Sequence, residues 1–176
     1  MILNFYIKKV EKVGYSKETN IPCFILVGGK SSRFKKDKSK LFYKHQYKKC
    51  KKLFKNVYFV AKEKKFKNYP FFIEKSKTYA PVFALKEIIK KHKKVFVLSV
   101  DTPLVDIKSL QKLLKRKAVA KDNPLIGYYD YTMLKNFTSL RVFPINPKKI
   151  KIKNTFNINT QEEFEKIKPL LNRPRF

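Results

Sequence analysis

Short apolar runs alternate with lysine-rich segments along the chain. Phe24-Ile25-Leu26-Val27 stops abruptly at Gly28-Gly29, and an apolar run of that length bounded by glycine reads as a buried strand, Ile21–Val27. Asn56–Ala61 reads as a second strand, Phe71–Ile73 as a short third, and Val95–Val100 as the most apolar of all. Pro124–Tyr129 begins another, and Leu140–Ile145 and Thr155–Ile158 read as later, less regular strands. Leu41, Phe42, Tyr47 and Phe54 fall on a segment that includes a helix beginning near Ser39. Pro81 opens a helix with Phe83, Leu85, Ile88 and Ile89 facing inward, since proline suits a first turn. Ile107, Leu110, Leu113 and Leu114 mark the next helix. Thr160-Gln161-Glu162-Glu163 is a capping box that opens a last helix carrying Phe164 and Ile167 and checked by Pro169. Alternating strands and helices predict an α/β fold, a mostly parallel central sheet with helices on both faces.

With 176 residues the chain suits one core. Residues 21–176 are read as a single domain. Residues 1–20 are either an N-terminal extension or an edge strand. Residues 146–153 read as a solvated loop and short strand. No apolar run reaches the roughly 20 residues of a membrane span, so no membrane partner is expected.

Charge changes the picture more. Lys and Arg number 43 against 13 Asp and Glu, a formal net charge of +30. Such a field attracts polyanions. The cations are spread over the whole chain, and 38 of them are Lys against 5 Arg, whereas base-edge readers favour Arg. Specific nucleic acid is therefore not expected, and a nucleoside triphosphate is the simpler partner. Cys23 and Cys50 follow no metal or redox spacing and read as buried thiols in a reducing compartment, the cytoplasm. His45 and His92, in lysine-rich helical segments, read as surface residues rather than ligands.

The stretch after the first strand carries the candidate chemistry. Paired glycines let backbone N–H groups approach a ligand with no Cβ in the way. Lys30, Arg33 and Lys38 supply charge to an anion held there. A Walker A loop does not fit, because its first glycine would fall at Phe24 inside the strand, and no G-x-G-x-x-G is present. In open α/β sheets, ligands sit beyond the carboxyl ends of the strands. Gly28-Gly29 and Asp101 both end strongly apolar strands, so a parallel sheet sets them on one edge. Asp101 is then the Mg²⁺ ligand, a hard oxygen donor beside substrate phosphates; the competing reading is a cap on the next helix. Asn157 and Asn159 can hydrogen-bond a phosphate, a pterin or metal-bound water, or can simply form a helix N-terminal turn.

The sequence Gly28-Gly29-Lys30-Ser31-Ser32-Arg33, followed by Asp37-Lys38, resembles the G-G-x-S-x-R-x-x-x-D-K loop of nucleotidyltransferases, and most of all that of the molybdenum cofactor guanylyltransferase family. Val27, Phe34 and Lys35 stand where that family has Ala, Met and Gly. Ser99-Val100-Asp101-Thr102-Pro103 resembles its C-D-x-P metal motif, and Asn157–Glu163 its N-x-N-T-P-E-E segment, with Gln161 for Pro. Asn123–Tyr129 is similar to H-P-L-x-G-x-Y with Asn123 for His, and Tyr79–Ala84 to G-P-L-x-G with Ala80 and Ala84 for both glycines. The resemblance runs from about Ile21 to Ile167. It implies a three-layer Rossmann-like nucleotidyltransferase fold. It also implies Mg²⁺-dependent transfer of GMP from GTP to a molybdopterin-type cofactor, with pyrophosphate released.

By the same resemblance, Leu26, Val27, Gly28, Gly29, Lys38, Glu74 and Asp101 bind the nucleotide. Lys38, Arg33 and Asp101 carry catalysis, with Mg²⁺ on Asp101. Asn157 and Asn159 shape the acceptor side, and molybdoenzyme maturation proteins are possible partners. Other readings are a nucleotidyltransferase for another NTP or for a sugar or alditol phosphate, and a basic nucleic-acid binder on a decayed transferase scaffold.

Overall fold

The computed structural model describes residues 19–27, 37, 39–78, 80–134 and 147–171. Strand β1 (Cys23–Leu26) leads to helix α1 (Ser39–Cys50), then β2 (Val57–Ala61) and β3 (Phe71–Ile73). Helix α2 (Pro81–His92), β4 (Lys94–Ser99) and α3 (Ile107–Arg116) follow. Then come β5 (Val119–Ala120), β6 (Gly127–Asp130), a 3₁₀ turn (Tyr131–Leu134), β7 (Lys149–Ile150) and α4 (Gln161–Leu171). The strands form one sheet in the order β3-β2-β1-β4-β6-β5-β7. β3, β2, β1 and β4 are parallel neighbours, while β6 runs antiparallel to both β4 and β5.

Side chains alternate across this sheet, as strand geometry requires. Cys23 and Ile25 of β1 face one way, with Phe59 of β2 and Phe96 and Leu98 of β4; Phe42 of α1, Leu110 and Leu113 of α3, and Ile167 of α4 cover them. Phe24 and Leu26 face the other way with Val60, Val95 and Val97, under Ala84, Leu85, Ile88 and Ile89 of α2. The three-layer α/β expectation is met. α1 covers one face and α2 the other, so β1 and β4 meet at the point where the winding reverses.

Several details differ from the sequence reading. Val82 and Ala84, not Phe83, complete the buried face of α2. The Thr155–Ile158 segment is irregular rather than a strand. Pro169 lies inside α4, which runs on to Leu171. It removes one intrahelical donor only in the last turn, where little is lost. The antiparallel β6 follows from β5, too short to show in the apolar pattern: a tight 121–126 connection can join only antiparallel neighbours. The expected strand Leu140–Ile145 and residues 1–18 lie outside the described residues.

Both histidines are half-buried rather than on the surface. The ring of His92 packs 5.0 Å from that of Phe24, and burial, reinforced by Lys91, lowers its pKa. Cys23 and Cys50 are free and fully buried. Burial, and then the neighbouring Cys50, push the Cys23 thiol well above its ordinary range, so it stays protonated and inert.

Candidate active site

The chain leaves β1 and β4 at the same rim. Leu26 is in register with Ser99, and Val100 N donates to Leu26 O at 3.1 Å, so the ladder extends one step past both strands. The residues after Val27 and after Val100 therefore start from adjacent points on one edge. This is where a doubly wound sheet opens a crevice. A cavity of about 580 Å³ lies there, a size that suits a small-molecule ligand. Its wall includes Leu26, Lys62, Glu74, Asp101, Leu125 and Asn157.

Asp101 does not cap the next helix. That role belongs to Asp106, whose carboxylate accepts from Ser109 N at 2.6 Å. The Asp101 carboxylate instead accepts from Ser99 Oγ at 2.6 Å and borders the cavity, and its carbonyl accepts from Ile158 N at 2.8 Å. That last bond brings the late Asn157 segment to the end of β4. Among the described residues, no group of three His, Cys, Asp or Glu could hold a metal ion unaided. A single carboxylate facing a cavity fits Mg²⁺ nonetheless, because that ion takes one or two carboxylates and completes its shell with substrate phosphates and water.

Glu74 stands on the opposite wall. Its backbone N–H donates to Ala61 O at 3.0 Å, and its side chain, 9% exposed, pairs with Lys62 at 3.5 Å. Burial raises its pKa and outweighs the opposing pull of Lys62. Lys62 also donates to the carbonyl of Ser76, closing the 75–78 turn below the site. The N-terminus of α2 opens on the same cavity at Ala80, Pro81 and Ala84, with no side-chain cap at Ala80. Uncapped first-turn N–H groups give that wall a partial positive charge.

Asn157 is held by a residue whose part the sequence did not reveal. Asn123 Nδ2 donates to Thr155 O and to Asn157 Oδ1, both at 2.9 Å, while Asn123 Oδ1 accepts from Leu125 N at 3.2 Å. A backbone carbonyl must accept and a backbone N–H must donate, so the two backbone partners fix which end of the Asn123 amide is which. Asn157, which borders the cavity, is then obliged to accept through Oδ1, which leaves Nδ2 as the donor end of its amide. Tyr129, fully buried, steadies the same turn by donating to Pro124 O at 2.5 Å. Asn159 is exposed: its Nδ2 donates to Asn157 O at 3.4 Å and its backbone N–H to Glu163 Oε2 at 2.6 Å, while Thr160 N donates to Glu163 Oε2 at 3.0 Å and Glu163 N to Thr160 Oγ1 at 3.2 Å, which is the capping box.

Gly28, Gly29, Arg33 and Lys38, with Lys30, lie outside the described residues. The flanks of that segment are described. Val27 N donates to Val60 O at 3.1 Å. Lys65 Nζ donates at 3.2 Å to both Val27 O and Asp37 Oδ2, bridging positions 27 and 37. Asp37 Oδ1 accepts from Ser39 N at 3.0 Å and Ser39 Oγ at 2.6 Å, capping the first turn of α1. Partial burial pushes the Asp37 pKa up, but the Ser39 and Lys65 donors outweigh it and hold it below the usual carboxylate range. Leu26 borders the cavity; Leu26 O accepts from Val100 N and Val27 O from Lys65 Nζ. Among so many lysines no spacing distinguishes Lys62 or Lys65. Asn123 had one signal, its place in the Asn123–Tyr129 match.

The family described as MobA-like NTP transferase domain matches residues 23–133. A protein named molybdenum cofactor guanylyltransferase, from Campylobacter jejuni subsp. jejuni serotype O:6, is 38% identical and covers 83% of this chain and 94% of its own. A crystal structure of a protein from Aquifex aeolicus VF5 matches with a TM-score of 0.69 at 27% identity, over 83% of this chain and 97% of that one. Molybdopterin-guanine dinucleotide biosynthesis protein A from Archaeoglobus fulgidus has the same fold, with a TM-score of 0.69 at 18% identity over 85% of this chain and 98% of that one.

Proposed function

Because the chain belongs to the MobA-like NTP transferase family, we propose that it transfers GMP from GTP to a molybdopterin-type molybdenum cofactor, forming the guanine dinucleotide and releasing pyrophosphate. The observation that supports this best is the shared rim of β1 and β4, where Asp101 and Leu26, which lies two residues ahead of Gly28 in sequence, border one cavity of a size that suits a nucleotide. The terminal phosphate of the acceptor attacks the α-phosphorus of GTP. One P–O bond forms as the bond to the departing pyrophosphate breaks. Such a transfer needs positioning and charge neutralisation more than covalent help.

The roles divide among the residues as follows. Gly28 and Gly29 N–H groups hold the triphosphate, and Lys38 and Arg33 balance charge on the leaving pyrophosphate. Asp101 holds Mg²⁺, which when bound spreads the negative charge of the phosphates. Glu74, kept at the wall by Lys62, offers two acceptor oxygens to the adjacent N–H donors on the guanine edge. Asn157 Nδ2 donates to the acceptor, with Asn159 at the rim beyond it. Two buried free cysteines support a reducing compartment such as the cytoplasm. Among the described residues no helix is long and apolar enough to cross a membrane.

The test incubates the protein with GTP, Mg²⁺ and molybdopterin or its molybdenum form, and detects the dinucleotide by mass. Competition among the four NTPs checks the base. Product from CTP but not GTP would move the protein to another branch of the transferases. Salt-sensitive oligonucleotide binding without pyrophosphate release would favour the nucleic-acid reading.

A further inference from the structure

Helix α1 follows directly on the Asp37 cap, and its buried face is not wholly apolar. Gln46 is fully buried and Lys49 is 7% exposed. Gln46 Nε2 donates to Ser99 O at 3.1 Å and Val100 O at 3.4 Å, and its Oε1 accepts from Lys49 Nζ at 2.8 Å. Lys49 Nζ also donates to Pro103 O at 2.6 Å and Val105 O at 2.7 Å. An ammonium has three donors, and three acceptors lie within hydrogen-bond distance of this one. The four backbone carbonyls gripped by the pair, at 99, 100, 103 and 105, bracket Asp101 on both sides.

Burying an ammonium is costly unless its donors are satisfied, and an apolar side chain of similar volume would fill this part of the core without that cost. What an apolar residue could not do is hold Pro103 O and Val105 O at hydrogen-bond distance from one point. Within the turn, the Ser99 and Thr102 hydroxyls donate to the Asp101 carboxylate at 2.6 Å and to Ser99 O at 2.8 Å, but its backbone bonds are long: Thr102 N and Val105 N reach their carbonyls only at 3.4 Å.

We infer that Lys49, acting with Gln46, is a positioning residue that fixes the Asp101 carboxylate for its metal ion from the far side of the sheet edge. The inference rests on the reading of Asp101 as the Mg²⁺ ligand. Lys49 touches neither substrate nor metal; it acts through the backbone. The same helix thus begins at the Asp37 cap, beside the nucleotide segment, and ends by holding the metal turn.

The test reads binding rather than turnover. Mn²⁺ replaces Mg²⁺, free Mn²⁺ is measured by electron paramagnetic resonance in the presence of GTP, and amide hydrogen exchange follows Thr102 and Ile158. Lys49→Met should weaken Mn²⁺ binding about tenfold, the usual scale for losing an outer partner of a metal ligand. Exchange at both amides should quicken while the circular dichroism stays that of the folded protein. Should Lys49→Met not fold, Gln46→Met decides the matter, because it frees Ser99 O and Val100 O with the ammonium still on Pro103 and Val105. A folded variant that binds Mn²⁺ like the parent overturns the inference. Asp101→Asn separates the two levels. If it loses Mn²⁺ while the α1 variants do not, only the positioning role fails. If it binds Mn²⁺ like the parent, the metal reading fails and the positioning role with it.

Discussion

Asn123 donates its amide to Asn157 Oδ1 at 2.9 Å, across a gap of 34 positions in the chain, and so orients the amide of a residue that borders the cavity. Asn123→Ala removes that donor and strands Leu125 N. Stability should fall by about 1–2 kcal/mol, the usual cost of losing partners for half-buried groups. KM for the molybdopterin acceptor should rise several-fold while KM for GTP stays near its parent value. Steady-state kinetics with each substrate varied in turn checks the split, and equal effects on both would remove the acceptor role of Asn157.

Asp101→Asn keeps the shape of the side chain and the contact with Ser99 Oγ but removes the charge. Turnover should fall at least about 10²-fold, on the scale of losing one charge-stabilising group in an active site. The thermal midpoint should hold, because Asp101 caps no helix. Pyrophosphate release and a melting curve on the same sample make the measurement.

Asp37 titrates below the ordinary carboxylate range because Ser39 and Lys65 favour its charged form. Its unfolded pKa is about 3.9. A depressed folded value means that its contribution to stability is complete above that pH and is lost as pH falls through the folded pKa. Urea unfolding of the parent and of Asp37→Asn should therefore differ by a constant amount from pH 5 to 7, and the two midpoints should converge as the pH is lowered further. A gap that persisted in acid would assign the effect to shape rather than charge.

Gly127 has φ +152°, and a Cβ there would lie 2.4 Å from Val119 Cα and 2.7 Å from Ala118 O. Neither backbone atom can move without parting β5 from β6. Gly127→Ala should cost about 3 kcal/mol, from backbone strain together with overpacking. The loss is read from the denaturant midpoint. An unchanged midpoint would mean that the β5–β6 pairing is softer than its register implies.

The alternation of apolar runs and helical periods was enough to determine the three-layer sheet, since a two-residue strand period and a 3.6-residue helix period are local properties. Ile21–Val27 and Val95–Val100 were legible as buried strands because their apolar runs, covered on both faces, carry no polar alternation. The place of Asp101 at the end of an apolar strand, where it borders the cavity, was legible in the sequence. Tertiary structure alone decided that Asp106 and not Asp101 caps α3, that β6 runs against its neighbours, and that Lys49 and Lys65 differ from the other lysines. Each of those depends on backbone carbonyls and amides brought together from distant positions, and such groups are identical at every residue, so no side-chain pattern can announce them.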